Sequence, residues 1–148
     1  MDEHSMSSYI WLCRQTSLPI CGPETCEGKH YVRAEWIKAG ACDISRCGVG
    51  DVGGITPLMK TVHLCESFGM RCEIHGGGPA NLHALCAMKN GAFYERGLLH
   101  PFIDHDEPPP WLNAAPDPMD DAGDVHVSPN PGLGWEINWD YIYDNTIR

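Results

Sequence analysis

The sequence predicts an α/β fold in which parallel strands alternate with helices, followed by an irregular C-terminal tail. Between Leu18 and Glu95, short apolar runs alternate with stretches of helical period, as in βα units on a parallel sheet. The helical stretches have recognisable starts and stops, and beyond His100 the composition changes to Pro and Asp. These observations favour about four βα units in residues 1–99 and a separate tail in residues 100–148.

Four short strands are predicted in the first part of the chain. Each is a run with enough apolar residues to be buried on both faces of a parallel sheet. Parallel strands need long crossover connections, and the segments between these runs are long enough to be helices. The predicted strands are Leu18–Cys21, Ala41–Ser45, Arg71–Ile74 and Ala92–Tyr94.

The predicted helices have readable ends. In the best defined of them, Thr56 can cap the N-terminus, Pro57 fits the first turn and Gly69 stops the helix. Its apolar stripe consists of Leu58, Val62 and Cys65. Further helices are predicted at Ser8–Gln15, at Tyr31–Ala39, and from Pro79 to the Asn90-Gly91 stop.

The tail has little helical period but many aromatic side chains. A disordered segment rarely carries so many, so the tail is expected to be ordered and to pack on another part of the protein. Pro131–Gly134 is predicted as a turn and Val125–Val127 as a short strand. The aromatic anchors are Phe102, Trp111, Trp135, Trp139 and Tyr141.

Charge and composition exclude several classes of partner. The formal net charge is −10, which disfavours nucleic acid and anionic membranes, since both would be repelled. No run of about 18 apolar residues could span a bilayer, and the N-terminus does not have the pattern of a signal peptide. We therefore expect a cytoplasmic protein, in which an anionic substrate would need a local cation.

The eight cysteines leave two interpretations. None forms a CxxC pair, and most lie in apolar segments, which favours buried free thiols in a reducing compartment. Cys21/Cys26 and Cys42/Cys47 share one spacing and would alternatively support metal binding. Coincidental core cysteines are the favoured interpretation, and a small Cys/His metal module is the weakest reading because no pair has zinc-finger spacing.

A polar residue able to do chemistry follows each predicted strand: Glu24, Arg46, His75 and Glu95. In parallel βα architectures, this edge of the sheet is the functional one. Any one of the four, taken alone, is better explained as a solvated or salt-bridged loop residue. Their succession at one edge favours a site.

Several motifs, in this order and spacing, resemble the mandelate racemase/muconate lactonizing enzyme branch of the enolase superfamily. The resemblance covers the chain from about residue 9 onward and is strongest where a Gly-Gly-Ile-Thr segment precedes a helix, a strand and a histidine. The motifs are Gly22-Pro-Glu24, Gly40–Ser45, Val52–Thr56, His75 and Tyr94–Arg96.

The resemblance implies the C-terminal half of a TIM-like (β/α) barrel, with the tail returning onto the barrel or a capping region. It also implies a Mg²⁺-dependent acid-sugar dehydratase, which removes the proton α to a carboxylate and forms an enediolate. Glu24 matches the third of three acidic magnesium ligands, and His75 matches the general base or acid. Glu95 matches the residue that hydrogen-bonds the enediolate, a role for an acid that can stay protonated.

The sequence departs from the family pattern at the partner of the histidine. The family has an aspartate five positions before Gly53, where this chain has Gly48, and Asp51 stands where lysine is frequent. Arg46 or Asp51 could take over the role. The change makes racemisation less favoured than dehydration.

The catalytic lysine segment and the capping domain of the family have no counterpart in this sequence. The alternative reading is therefore a catalytically inactive fragment, or an interaction partner that completes a barrel with another chain or a second copy. The open strand edges of a half-barrel favour such association.

Overall fold

A computed structural model describes residue 2, residues 4–96, residue 102 and residues 106–147. Within these residues, a two-stranded parallel sheet is surrounded by helices, and an irregular tail follows. No helix in the described part is long and apolar enough to cross a membrane. The elements are α1 (Met6–Gln15), α2 (Lys29–Ala39), β1 (Ile44–Cys47), α3 (Val49–Val52), α4 (Ile55–Ser67), β2 (Arg71–Ile74), α5 (Pro79–Cys86) and α6 (Trp139–Asp144).

The two strands pair in parallel, as the apolar runs predict. β1 and β2 run in register from Ile44 opposite Arg71 to Cys47 opposite Ile74. The bounds of β2 are confirmed, whereas β1 begins three residues later than expected. The reason is that the Ala41 N–H donates to the Trp36 carbonyl, so this part of the predicted strand completes the end of α2.

The first and last predicted strands are wrong as regular strands. Of Leu18–Cys21, only Cys21 forms a parallel bridge to β1, and the Ile20 N–H donates to the Asp43 carboxylate. Ala92–Tyr94 forms no strand, because the N–H groups of residues 92 and 93 donate to the Glu73 side chain instead of a β2 carbonyl. Both segments nevertheless flank the sheet in the predicted order, the first through the bridge from Cys21 to Ile44 and the second through the bonds from residues 92 and 93 to Glu73.

The four predicted helices are present, with small corrections at their ends, whereas α3 and α6 were not predicted. α4 is capped by Gly54, so Thr56 lies inside the first turn and does not cap the helix. α5 starts at Pro79 as expected but ends at Cys86, short of the Asn90-Gly91 stop. α2 ends at Gly40, whose positive φ of 65° is a left-handed conformation that glycine adopts without strain.

The core lies between α4 and the sheet. The apolar stripe predicted for α4 is buried there together with cysteines of both strands. All eight cysteines are free, and five of them are buried, so the interpretation as buried thiols is confirmed for most of them. The apolar members that are almost completely inaccessible to solvent include Val52, Leu58, Val62 and Ile74.

Within its described residues, the tail is held by short contacts instead of regular strands. Leu112 is buried and bridges Ile137 in antiparallel fashion, and the expected strand at Val125–Val127 is only a bridge from Met119 to Val125. The predicted turn is present, with the Gly134 N–H donating to the Pro131 carbonyl. The aromatic anchors are not buried by the described residues, since Trp111, Trp135 and Trp139 are about half exposed.

Candidate active site

Arg46 joins two of the predicted site carboxylates. It lies near the C-terminal end of β1, and its Nε donates to Glu24 Oε2 at 2.6 Å while Nη2 donates to Glu95 Oε2 at 2.7 Å. The three side chains are partly buried, which protects these charge-assisted bonds from full screening. Residues that follow three different predicted strands therefore meet at one edge of the sheet, as the sequence predicts.

His75 lies in the same cluster, directly after β2. Its Nε2 is 3.2 Å from Glu24 Oε1, and its Nδ1 is 3.2 Å from Asp51 Oδ2. The imidazole is thus held between two carboxylates, one from the loop after Cys21 and one from α3. All three predicted site residues, Glu24, His75 and Glu95, are brought together.

Asp51 contacts His75, whose partner in the family pattern would stand at the position of Gly48. Its Oδ2 accepts from the Gly48 N–H at 2.6 Å and also faces His75 Nδ1. Gly48 itself has no room for a side chain, because a Cβ there would lie 2.2 Å from the His75 carbonyl oxygen. Of the two substitutes considered from the sequence, Asp51 contacts His75, and Arg46 contacts the two glutamates.

Glu95 is held by the loop that follows His75. Its Oε2 accepts from the Gly76 N–H at 2.6 Å in addition to the bond from Arg46. Next to it, the Tyr94 hydroxyl accepts from the Gly78 N–H at 2.6 Å and donates to the buried Asp117 carboxylate of the tail. Burial, followed by the hydrogen bond to Asp117 and its charge, raises the pKa of Tyr94.

Arg46 is the cation of this acidic edge. Its partial burial works against the charged guanidinium, but the hydrogen bond to Glu24 and the charges of Glu95 and Glu24 outweigh that cost and raise its pKa. A groove of about 460 Å³ opens beside Arg46 and Glu95 and is also lined by Phe93 and Tyr94. A guanidinium paired with two carboxylates therefore lies beside this groove.

The described residues do not form a magnesium site by themselves. Mg²⁺ prefers a near-octahedral shell of oxygen ligands, and Glu24 is the residue that the resemblance assigns to it. Both oxygens of Glu24 face nitrogen atoms, of Arg46 and of His75. Nowhere in the described part do three His, Cys, Asp or Glu side chains come together in a way that could hold a metal ion. The Cys/His metal-module reading has no support there either.

Residues 1–141 match the family described as enolase C-terminal domain-like. The chain belongs to this family. The α/β fold of this enolase C-terminal domain-like chain is shared with the crystal structure of D-glucarate dehydratase from Agrobacterium tumefaciens complexed with magnesium. The TM-score is 0.96 and the identity 56%, over 100% of this chain and 38% of that chain. The resemblance drawn from the motifs is thereby confirmed.

Two curated relatives are named as D-galactonate dehydratase family members. D-galactonate dehydratase family members are 31% identical over 83 residues in Enterocloster bolteae and 32% identical over 136 residues in Musicola paradisiaca. The matches cover 53% and 86% of this enolase C-terminal domain-like chain, but 19% and 30% of those proteins. The chain therefore spans less than a third of the curated relatives that it matches.

The sequence identified Glu24, His75 and Glu95 as candidate site residues, but it did not identify the groups that hold them in place. Tyr94 was part of a motif without a role, and Asp117 lies in a Pro/Asp-rich segment that gave no signal of burial. The contact between Gly76 and Glu95 is likewise a property of the loop backbone. The hydroxyl of Tyr94, a polar group in a predicted buried strand, is a signal that could have indicated the need for a partner.

Proposed function

We propose that this chain carries part of the site of an acid-sugar dehydratase, with His75 as acid/base and Glu95 as a hydrogen-bonding partner of the enediolate. The observation that carries the proposal is the bridge from Arg46 to both Glu24 and Glu95, with His75 3.2 Å from Glu24. The names of the relatives, D-glucarate and D-galactonate dehydratases, support a sugar carboxylate as substrate.

In the proposed reaction, His75 accepts the proton from the carbon next to the substrate carboxylate. The electron pair left on that carbon forms the enediolate, and its return expels the β-hydroxyl, which leaves as water after gaining a proton. The sugar acid thus loses H₂O and becomes an enol that tautomerises to a 2-keto acid. An imidazole suits the proton transfer, because it can accept and donate protons near neutral pH.

In the proposed role, Glu95 would donate a hydrogen bond to the substrate carboxylate as the enediolate forms, which requires a proton on the Glu95 carboxyl group. Its Oε2 already accepts from Arg46 and Gly76, so Oε1 is the oxygen left to meet a ligand within the described surroundings. Fixing a side chain by two donors before the substrate binds reduces the reorganisation needed during the reaction.

A turnover assay tests this proposal directly. The chain is incubated with Mg²⁺ and D-glucarate or D-galactonate, and 2-keto acid formation and deuterium uptake at the α-carbon from D₂O are measured. Activity is expected to be weak and to disappear in His75→Asn. The matched control, His63→Gln, changes an exposed histidine of α4 and should behave as wild type. Turnover that survives in His75→Asn would remove the proposed role of His75.

Mg²⁺ is proposed as the cofactor, with Glu24 as one of its ligands. Since the described residues supply no complete metal site, binding is expected to be weak, and no catalytic step is derived through the metal. A ligand that binds the folded state raises the melting temperature. Millimolar Mg²⁺ should therefore raise it slightly for wild type and for the control Glu27→Gln, but not for Glu24→Gln. An equal rise in all three would exclude Glu24 as a ligand.

A second candidate function is that of an interaction partner that completes a barrel with another chain or a second copy. It is favoured by the apolar side chains exposed on the two segments flanking the sheet, since Leu18 and Phe93 are each 71% exposed. Unpaired strand edges promote association. Sedimentation analysis of the chain tests this, and a monomer at every concentration would exclude self-association.

A further inference from the structure

The loop that presents Glu24 has almost no hydrogen bonding of its own. It runs from the Cys21 bridge to the start of α2, and in the described structure residues 23–27 take part in no backbone–backbone hydrogen bond. A loop of this kind would normally be mobile, because unpaired backbone groups offer many alternative conformations. Something other than regular secondary structure must hold Glu24 in place.

Arg33 of α2 satisfies the carbonyl groups of this loop. Its Nη2 donates to the Glu24 carbonyl at 2.7 Å, and its Nη1 donates to the carbonyls of Cys26 at 2.5 Å and Lys29 at 3.2 Å. The side chain is 0% exposed, and among the described residues it forms no salt bridge with a carboxylate. A buried cation is costly unless its donors are matched; here three carbonyl oxygens accept from Nη1 and Nη2, whereas Nε has no hydrogen-bond partner among the described residues.

Glu24 is thus held through both its main chain and its side chain. Its carbonyl oxygen is fixed by Arg33, and its carboxylate oxygens lie 2.6 Å from Arg46 Nε and 3.2 Å from His75 Nε2. A shift of the loop by about 1 Å would break contacts of this length. We propose that Arg33 is a positioning residue, which fixes the main chain of Glu24 and so aims its carboxylate at Arg46 and His75. The importance of this aim for catalysis rests on the function proposed above.

A spectroscopic experiment separates positioning from a merely structural role. The Nε–H resonance of Arg46 in an ¹H–¹⁵N spectrum reports on its bond to Glu24 and is assigned by its loss in Arg46→Lys. Arg33→Lys keeps the charge but lacks the planar fork that reaches two carbonyls at once. We expect the Arg46 resonance to shift or to broaden in Arg33→Lys.

The matched control is Ile37→Val, which removes one buried methyl group from the same helix without touching the loop. It should lower the melting temperature but leave the Arg46 resonance unchanged. An unchanged resonance in Arg33→Lys, with reduced thermal stability, would overturn the proposal. If Arg33→Lys does not fold, Arg33→Gln is measured in the same way, and failure of both to fold would also overturn it, since Arg33 would then be a determinant of the fold.

The readout does not require turnover, so it can be distinguished from a failure of the proposed function. If wild type is active, the positioning role further predicts that Arg33→Lys lowers turnover by roughly 10–100-fold, as is typical for residues that orient a ligand. If wild type is inactive but the Arg46 resonance responds to Arg33→Lys, the positioning role stands and the dehydratase proposal fails.

Discussion

Replacing Gly48 with alanine tests the reason for the glycine at the end of β1. The added Cβ would lie 2.2 Å from the His75 carbonyl oxygen and 3.3 Å from the Asn81 side chain. Backbone φ at this position is −119°, which any residue adopts, so the expected effect is purely steric. The neighbour that must move is backbone, and backbone cannot rotate away as a flexible side chain can.

The expected decrease in the free energy of unfolding of Gly48→Ala has two contributions. Inserting a methyl group into a packed site costs about 1–3 kcal/mol. Moving the His75 carbonyl also strains the bond that it accepts from Asn81 Nδ2 at 3.0 Å, and one such bond contributes about 1 kcal/mol. Gly48→Ala should therefore lower the free energy of unfolding by about 2–4 kcal/mol.

The matched control is Gly50→Ala, two residues further along. A Cβ there meets nothing within 4 Å, and the residue lies in α3, so alanine should stabilise the chain by about 0.5–1 kcal/mol. Both variants are compared by urea unfolding followed by circular dichroism, with the slope checked for two-state behaviour. If Gly48→Ala proves as stable as Gly50→Ala, the close approach of the strand end to His75 is not real.

Three further outcomes are expected. Asp51→Asn removes the charged acceptor of His75, so the ¹⁵N shifts of the His75 ring should move, whereas the control Asp43→Asn should leave them unchanged. Asp117→Asn removes a charge and a hydrogen bond that, together with burial, raise the Tyr94 pKa; phenolate absorbance should then appear at lower pH, with Tyr94→Phe as the reference. In wild type, the stability linked to Tyr94 is full below its ordinary value of 10.0 and is lost as pH rises toward the raised pKa. Iodoacetamide should label exposed Cys86 before buried Cys42, whose pKa burial raises to about 12, and equal labelling by mass spectrometry would contradict the buried-thiol interpretation.

Of the four predicted strands, the second and third are present as β1 and β2, whereas the first and the last are not regular strands. The predicted strand Arg71–Ile74 is β2, and its last three residues are buried. The outer runs Leu18–Cys21 and Ala92–Tyr94 have a similar composition but do not form regular strands. Their N–H groups find side-chain acceptors in Asp43 and Glu73, and those contacts join residues about twenty positions apart. The composition of a segment indicates that it could form a strand, but it does not report which acceptor its backbone finds, and the side chains of both outer runs remain largely exposed.

The candidate site, like the sheet, could be predicted only in part from the sequence. The position of Glu24, His75 and Glu95 after successive apolar runs was enough to predict that they meet at one edge of a parallel sheet. The motif comparison also predicted that a partner of His75 was missing at Gly48. Which residue replaces it could not be predicted, because Arg46 and Asp51 were equally plausible in sequence, and only the distances separate them.

The amino-acid sequence by itself determined the family, the order of strands and helices, and the set of acids and imidazole at the sheet edge. These depend on the composition and spacing of short segments. The tertiary structure alone decided that Asp51 faces His75, that Arg46 joins Glu24 to Glu95, and that buried Arg33 holds the Glu24 loop. Hydrogen bonds between distant residues depend on distances of a few tenths of an ångström, and such distances exist only once the helices and strands have packed.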